Sequence, residues 1–312
     1  MKNKNYVKGI IFGIVSLFLV SLQPIVALSR PRVLDVYIFA AMTCIVETII
    51  FIPLMLLERQ KIKSEMERTS SKFDEMHLLL HGWKNNKKAL LYIGINFGIA
   101  QILFYVAYEF AGAINGSLAQ QTTIIFALLF GFLINHEKIS KTQIIFSFIL
   151  LLGLTLAVTH GNFNLLEINI GVGILMITTM LWMLAHSITK PMFDRNEITP
   201  IQLSFIRYVI SGLFLITTYF IFFPLDNISL LFDPINILFF IMIGVLYGFD
   251  VLFWYKSLEH IEMSKASVIV SPMPILVAFF AFIILGEVFT IFHLIGTLVI
   301  IFSITMIVRK KE

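Results

Sequence analysis

Apolar residues run through this chain in long blocks separated by brief polar intervals. An α-helix needs about 20 predominantly apolar residues to cross about 30 Å of hydrocarbon. Ten stretches have that character: 8–28, 35–57, 88–110, 115–135, 141–160, 168–188, 200–222, 235–257, 264–285 and 290–308. The first is too long for a signal-peptide core and lacks a small-residue cleavage site before Ser29-Arg30-Pro31, so it reads as a retained helix. The pattern predicts an all-α membrane protein of ten transmembrane helices, with one large non-membrane loop at about 58–87.

Part of the pattern occurs twice. Residues 89–160 and 239–310 match without gaps at a constant offset of 150, pairing Gly94 with Gly244, Gly98 with Gly248, Tyr105 with Tyr255, Ser117 with Ser267, Phe130 with Phe280 and Glu137 with Glu287. The match over the first two helices of each half is weaker and rests on Gly9 and Gly171. Two five-helix repeats are expected, 1–160 and 161–312, joined by a short polar linker around 160–168. Five is odd, so the second copy enters the membrane from the opposite side. The charges agree: Lys138 and Lys141 become Val288 and Ile291, while Val106 and Asn115 become Lys256 and Lys265.

Composition narrows the class. The chain of 312 residues is 58% hydrophobic and 13% charged, with a mean hydropathy of +0.92, too little polar material to cover a water-soluble surface. A pI near 9.0 raises nucleic acid as a partner, but the basic residues lie beside the apolar spans rather than on a soluble domain. With the N-terminus inside, the inner segments carry Lys2, Lys4, Lys8, the basic residues of loop 58–88, Lys138, Lys141, Lys190, Arg195, Lys256, Lys265, Arg309, Lys310 and Lys311, while the outer loops carry Arg30 and Arg32. That positive-inside bias places both termini in the cytoplasm, and the plasma membrane is the expected location. Cys44 stands alone, which excludes an intramolecular disulfide and a cysteine-based zinc site.

The segment from Ser271-Pro272-Met273-Pro274 to Gly286-Glu287, its counterpart ending in His136-Glu137, and Gly171 to Lys190 with Trp182 resemble the EamA group of the drug/metabolite transporter superfamily over nearly the whole chain. The resemblance implies a 5+5 inverted repeat and a central cavity open alternately to each side. It also implies small-molecule cargo, such as a metabolite, amino acid, nucleotide conjugate or drug, often exported, with helices 5 and 10 at the periphery. Two departures touch the expected cavity wall: Gln120-Gln121-Thr122-Thr123 where a proline is usual, and Ser16-Leu17-Phe18 where a tryptophan is common.

Intramembrane charges are costly, about 2.5–3.5 kcal/mol each on insertion scales, and so face a cavity or a partner. Three stand out: Glu47, Arg207 and Asp250. In one reading Arg207 and Asp250 form a structural ion pair. In the other, Arg207 binds an anionic group of the cargo while Glu47 or Asp250 carries a coupling proton. Gln23, Asn96, Gln101, Gln121, Trp182, Tyr247 and Ser271 complete the expected substrate-binding set with Arg207 and Asp250. The GxxxG pairs Gly94/Gly98 and Gly244/Gly248 are expected at close helix crossings or rocking surfaces, and Pro272 and Pro274 at a kink. Glu137 and Glu287 are read as caps of the helices that follow them, or as gate contacts.

No HExxH, GxSxG, paired-aspartate metal motif or Walker loop occurs, so an enzyme is not expected, nor a metal or another cofactor. The sequence points to a secondary active or facilitative transporter working by alternating access, most simply an exporter, with a passive channel or a membrane sensor or receptor as the alternative. The expected partners are a small-molecule substrate, the bilayer, a proton or counter-substrate and, as an open option, a second copy of the chain.

Overall fold

A computed structural model describes residues 2–68, 73–164, 168–223, 225–261 and 263–309. Lys310 and Lys311 of the expected inner charges, and the side chains of Lys2, Lys4 and Lys265, lie outside it. The chain forms α1 (Lys2–Ser29), α2 (Val36–Arg68), α3 (Phe73–His81), α4 (Lys87–Gln120), α5 (Thr123–Asn135), α6 (Lys141–Val158), α7 (Ile170–Asp194), α8 (Pro200–Phe222), α9 (Pro234–His260), α10 (Met263–Val270), α11 (Met273–Ile284) and α12 (Ile291–Val308). Short 3-10 segments at Gly82–Asn86 and Leu225–Phe232 complete it, and no strand occurs among the described residues. Nine stretches of helix among the described residues are long and apolar enough to cross a membrane, with Thr123–Asn135 a shorter apolar helix beside them.

Two of the expected spans are interrupted. Residues 115–135 are read from sequence as one continuous helix, yet α4 ends at Gln120 and α5 starts at Thr123. The joint is a tight turn in which the Gln121 N–H donates to the Leu118 carbonyl and the Thr122 N–H to that of Ala119, each at 3.1 Å. The hydroxyls of Thr122 and Thr123 donate to the carbonyls of Ala119 and Gln120, drawing those acceptors away from the helical ladder. In the second repeat α10 ends at Val270 and α11 starts at Met273, with Pro272 at the N-cap (φ −72°) and no N–H to offer. Offset by 150, Gln121-Thr122 and Ser271-Pro272 are one break made by two chemistries.

Other helix ends are readable from sequence. α6 starts with a capping box between Ser140 and Gln143, and α12 with the equivalent box between Thr290 and His293. α2 is 33 residues long, about 50 Å at 1.5 Å per residue, so its last turns extend past the hydrocarbon. The described residues of the 58–87 loop are therefore largely helical, with α3 held to α2 by Arg59 Nη1 donating to the Leu80 carbonyl. The helices gather into two compact units, residues 1–30, 103–183 and 249–312 in one and 31–102 and 184–248 in the other. Each draws on both halves of the sequence.

Candidate functional site

In the first unit, α1 carries Ser16 and Gln23 seven residues apart, close to two full helical turns, so both side chains leave the same face. They meet Asp250 of α9: Ser16 Oγ donates to Oδ1 at 2.5 Å and Gln23 Nε2 to Oδ2 at 2.9 Å. Each carboxylate oxygen thus has a donor, and the group is buried to 9% exposure. Donors on both oxygens are the kind of partner that a carboxyl group at membrane depth requires. Gln23 and Asp250 are two expected site residues brought together; Ser16 was legible only as a departure from the family pattern. Its sequence signal is the seven-residue spacing to Gln23.

The interrupted helices belong to the same unit. Gln121 Nε2 reaches the Ser117 carbonyl at 3.5 Å, and Ser271 Oγ donates to the Val268 carbonyl at 2.8 Å, so both expected binding residues help to end their helices. Thr122 also bonds to Thr179 of α7 at 3.0 Å. One turn further along α7, Trp182 lies against Phe104, with ring centroids 5.7 Å apart, and Phe104 packs on Tyr108, whose hydroxyl donates to Gln120 Oε1. The buried Trp182 indole N–H has no acceptor among the described residues. Pro274 is buried in the first turn of α11.

The second unit holds the other two intramembrane charges. The Arg207 guanidinium of α8 lies 3.9 Å from the ring centroid of Phe97 on α4 and 4.8 Å from that of Tyr208, both within cation–π range. Glu47 on α2 is buried to 1% exposure, within electrostatic reach of Arg207 and beside Cys44. Its Oε1, the Asn96 Oδ1 and the Ser204 Oγ are buried with no hydrogen-bond partner among the described residues. Most buried polar atoms in native proteins are paired. Glu47 Oε1, Asn96 Oδ1 and Ser204 Oγ lie in the same unit as Arg207, together with the equally unpartnered Gln202 Oε1.

Glycines set this geometry. A Cβ on Gly94 would overlap Ile210 Cγ2, and one on Gly98 would lie 3.2 Å from Phe214, so α4 and α8 approach closely along both residues. Ser211 of α8 donates to the Gly94 carbonyl at 2.7 Å. Gly244 meets Val46 and Gly248 meets Phe51 and Glu47, which brings α9 onto α2 in the same fashion. Gln101 and Tyr247 are buried in this unit as well. Arg207 and Asp250 fall in different units.

Two further expectations concern Glu137 and Glu287 as caps of the helices that follow them. The capping boxes already serve α6 and α12, and Glu287 instead accepts from the backbone N–H groups of Ala113 and Ile114 in α4. The following helix needed no acid, because Thr290 and His293 supply its cap.

A model of the EamA-like transporter family matches residues 7–159 and again 169–309. The chain belongs to that family. The double match also makes the two-repeat architecture of this EamA-like protein explicit: a multi-pass, all-α membrane protein whose relatives transport small molecules. A solved structure titled "Crystal structure of protein" has a TM-score of 0.64 at 12% identity, covering 96% of this chain and 95% of its own, a likeness of fold. No curated protein matches the chain.

Proposed function

We propose that this EamA-like protein moves a small metabolite, amino acid or drug-like compound across the plasma membrane by alternating access, in the outward direction and with both termini in the cytoplasm. The observation that carries the reading is the pair of helix breaks at Gln121-Thr122 and Ser271-Pro272. Interrupted helices at corresponding places in two repeats are where secondary transporters build their binding sites, because backbone groups freed from the ladder can meet cargo there. A continuous bundle packed for stability alone would need no such interruptions.

The buried carboxylates supply the coupling. Asp250, cradled by Ser16 and Gln23, and Glu47, with an unspent Oε1, are the proton-carrying candidates, while Arg207 with its aromatic neighbours favours an anionic group on the cargo. In proteoliposomes loaded with candidate metabolites, saturable counterflow supports a carrier, whereas unsaturated passive flux supports a channel. Asp250→Asn keeps the shape of the cradle and removes its charge. Uptake driven by a pH gradient is expected to fall at least tenfold in that variant, and unchanged, still pH-sensitive uptake removes Asp250 from the coupling role.

A further inference from the structure

Glu287 makes a contact that the transport reading leaves unused. The backbone at Gly112 (φ 76°, ψ 172°) breaks α4, so the N–H groups just after it are first-turn donors with no helical acceptor. Glu287 takes both: Oε1 accepts from Ala113 at 2.7 Å and Oε2 from Ile114 at 3.0 Å. A carboxylate there also meets the positive end of the helix dipole. The next residue, Asn115, is bonded through Oδ1 to His293 Nε2 at 3.1 Å, so the turn between α11 and α12 grips three consecutive residues of α4. Gly112 suits its positive φ, and a Cβ there would lie 3.1 Å from Glu287 Oε1, so the carboxylate would have to shift by a few tenths of an ångström.

The turn that carries Glu287 recurs at Glu137. His136 (φ 55°) and Gly286 (φ 71°) hold the same left-handed position. The Glu137 N–H donates to the Gly131 carbonyl at 3.0 Å and the Glu287 N–H to that of Ala281, six residues back in each case, at 3.2 Å. Capping boxes begin three residues later in both turns. Carried forward by the same offset, Ala113 and Ile114 become Met263 and Ser264, and α10 starts at Met263. Between the two helix starts the chain crosses five times, once with the end of α4 and α5 together and then with α6, α7, α8 and α9, an odd number that sets the starts at opposite membrane faces.

We propose that Glu137 is a positioning residue that latches the first backbone N–H groups of α10, at Met263 and Ser264, as Glu287 latches those of α4 after its break. Each repeat's turn then fastens the interrupted helix of the other repeat, one clasp per membrane face. Neutralising one clasp loosens one face alone, which gives the carrier two separately adjustable closures.

Hydrogen–deuterium exchange of the purified full-length protein in lipid nanodiscs tests this without knowledge of the cargo. Glu287→Gln is expected to speed exchange in 112–118 roughly tenfold while leaving 261–270 unchanged, since charge-assisted hydrogen bonds are lost there. Glu137→Gln is expected to do the reverse, a reciprocal pattern that general loosening of the bundle does not produce. Unchanged exchange in 261–270 for Glu137→Gln, or equal acceleration of both segments, overturns the proposal. Glu262, which stands where the first repeat has Gly112, is the competing carboxylate, and acceleration by Glu262→Gln but not by Glu137→Gln also overturns it. Should Glu137→Gln fail to fold, Glu137→Asp, charged but one methylene shorter, is expected to give a smaller acceleration confined to 261–270; its absence counts against the latch.

Discussion

At Gly94 the absence of a side chain decides how near α8 comes, because a methyl group would overlap Ile210, a branched residue with little freedom to move aside. Gly94→Ala is expected to cost about 1–3 kcal/mol, the range for overpacking, and to lower the melting temperature of the purified protein. Gly173, also helical, is exposed, and a methyl group added there would meet nothing within 4 Å. Gly173→Ala is therefore expected to be neutral or to stabilise by up to about 1 kcal/mol through helix propensity. Equal melting shifts for the two would show that close approach is not what Gly94 provides. A second residue-scale effect lies outside the membrane, where Glu197 accepts from Arg195 at 2.8 Å and from Asn86 at 2.7 Å. The Arg195 hydrogen bond first, then that of Asn86, holds the Glu197 carboxyl below its ordinary value. With a folded pKa below the unfolded value of about 4.3, its contribution to stability is full at neutral pH and is lost as the pH falls through the depressed value. Glu197→Gln should melt slightly lower than the parent at pH 7, and the two curves should converge towards pH 3; a gap that persists in acid would contradict the charge-based account.

At the scale of elements, the break between α4 and α5 shows how a helix can end without proline or glycine at the joint. Sequence reading gives 115–135 as one span because every residue there is compatible with lipid and no breaker stands in the middle. The hydroxyls of Thr122 and Thr123 look harmless in a window average, yet both turn back onto carbonyls of the preceding turn and compete with the ladder. The second repeat announces the same break openly with Pro272 and Pro274. Since Thr122 already has φ −62°, close to what a proline ring imposes, Thr122→Pro is expected to fold, losing about 1–2 kcal/mol with its N–H and hydroxyl bonds. Ile300→Pro, in the unbroken middle of α12, is expected to cost about 3 kcal/mol or more and to abolish folded protein in size-exclusion chromatography. Similar losses at both sites would mean that the α4–α5 joint is not a pre-formed break. The site was legible to the same degree as the elements: Gln23 and Asp250 announced themselves as polar groups in apolar spans. Their partnership with Ser16 needed α1 and α9 to be packed together, and serine in a membrane helix carries little signal of its own.

For the molecule as a whole, the lysine and arginine distribution sets orientation, and reporter fusions measure it directly. A fluorescent protein fused at the C-terminus is expected to glow and a periplasmic phosphatase at the same point to stay inactive, while insertion of the phosphatase near Arg32 should give activity. The opposite result would invert the proposed direction of every gate. The sequence alone determined that the chain is an all-α membrane protein, where most of its helices lie and that a three-helix pattern at the end of each half occurs twice, because hydrophobic run length and residue offsets are one-dimensional quantities that the bilayer converts directly into structure. Tertiary structure decided which polar groups meet. Asp250 with Ser16 and Gln23, Arg207 over Phe97, and Glu287 on the amides of Ala113 and Ile114 all join residues far apart in sequence. A hydrogen bond or cation–π contact fixes distance and angle to fractions of an ångström, and only the packing of helices against one another supplies that precision.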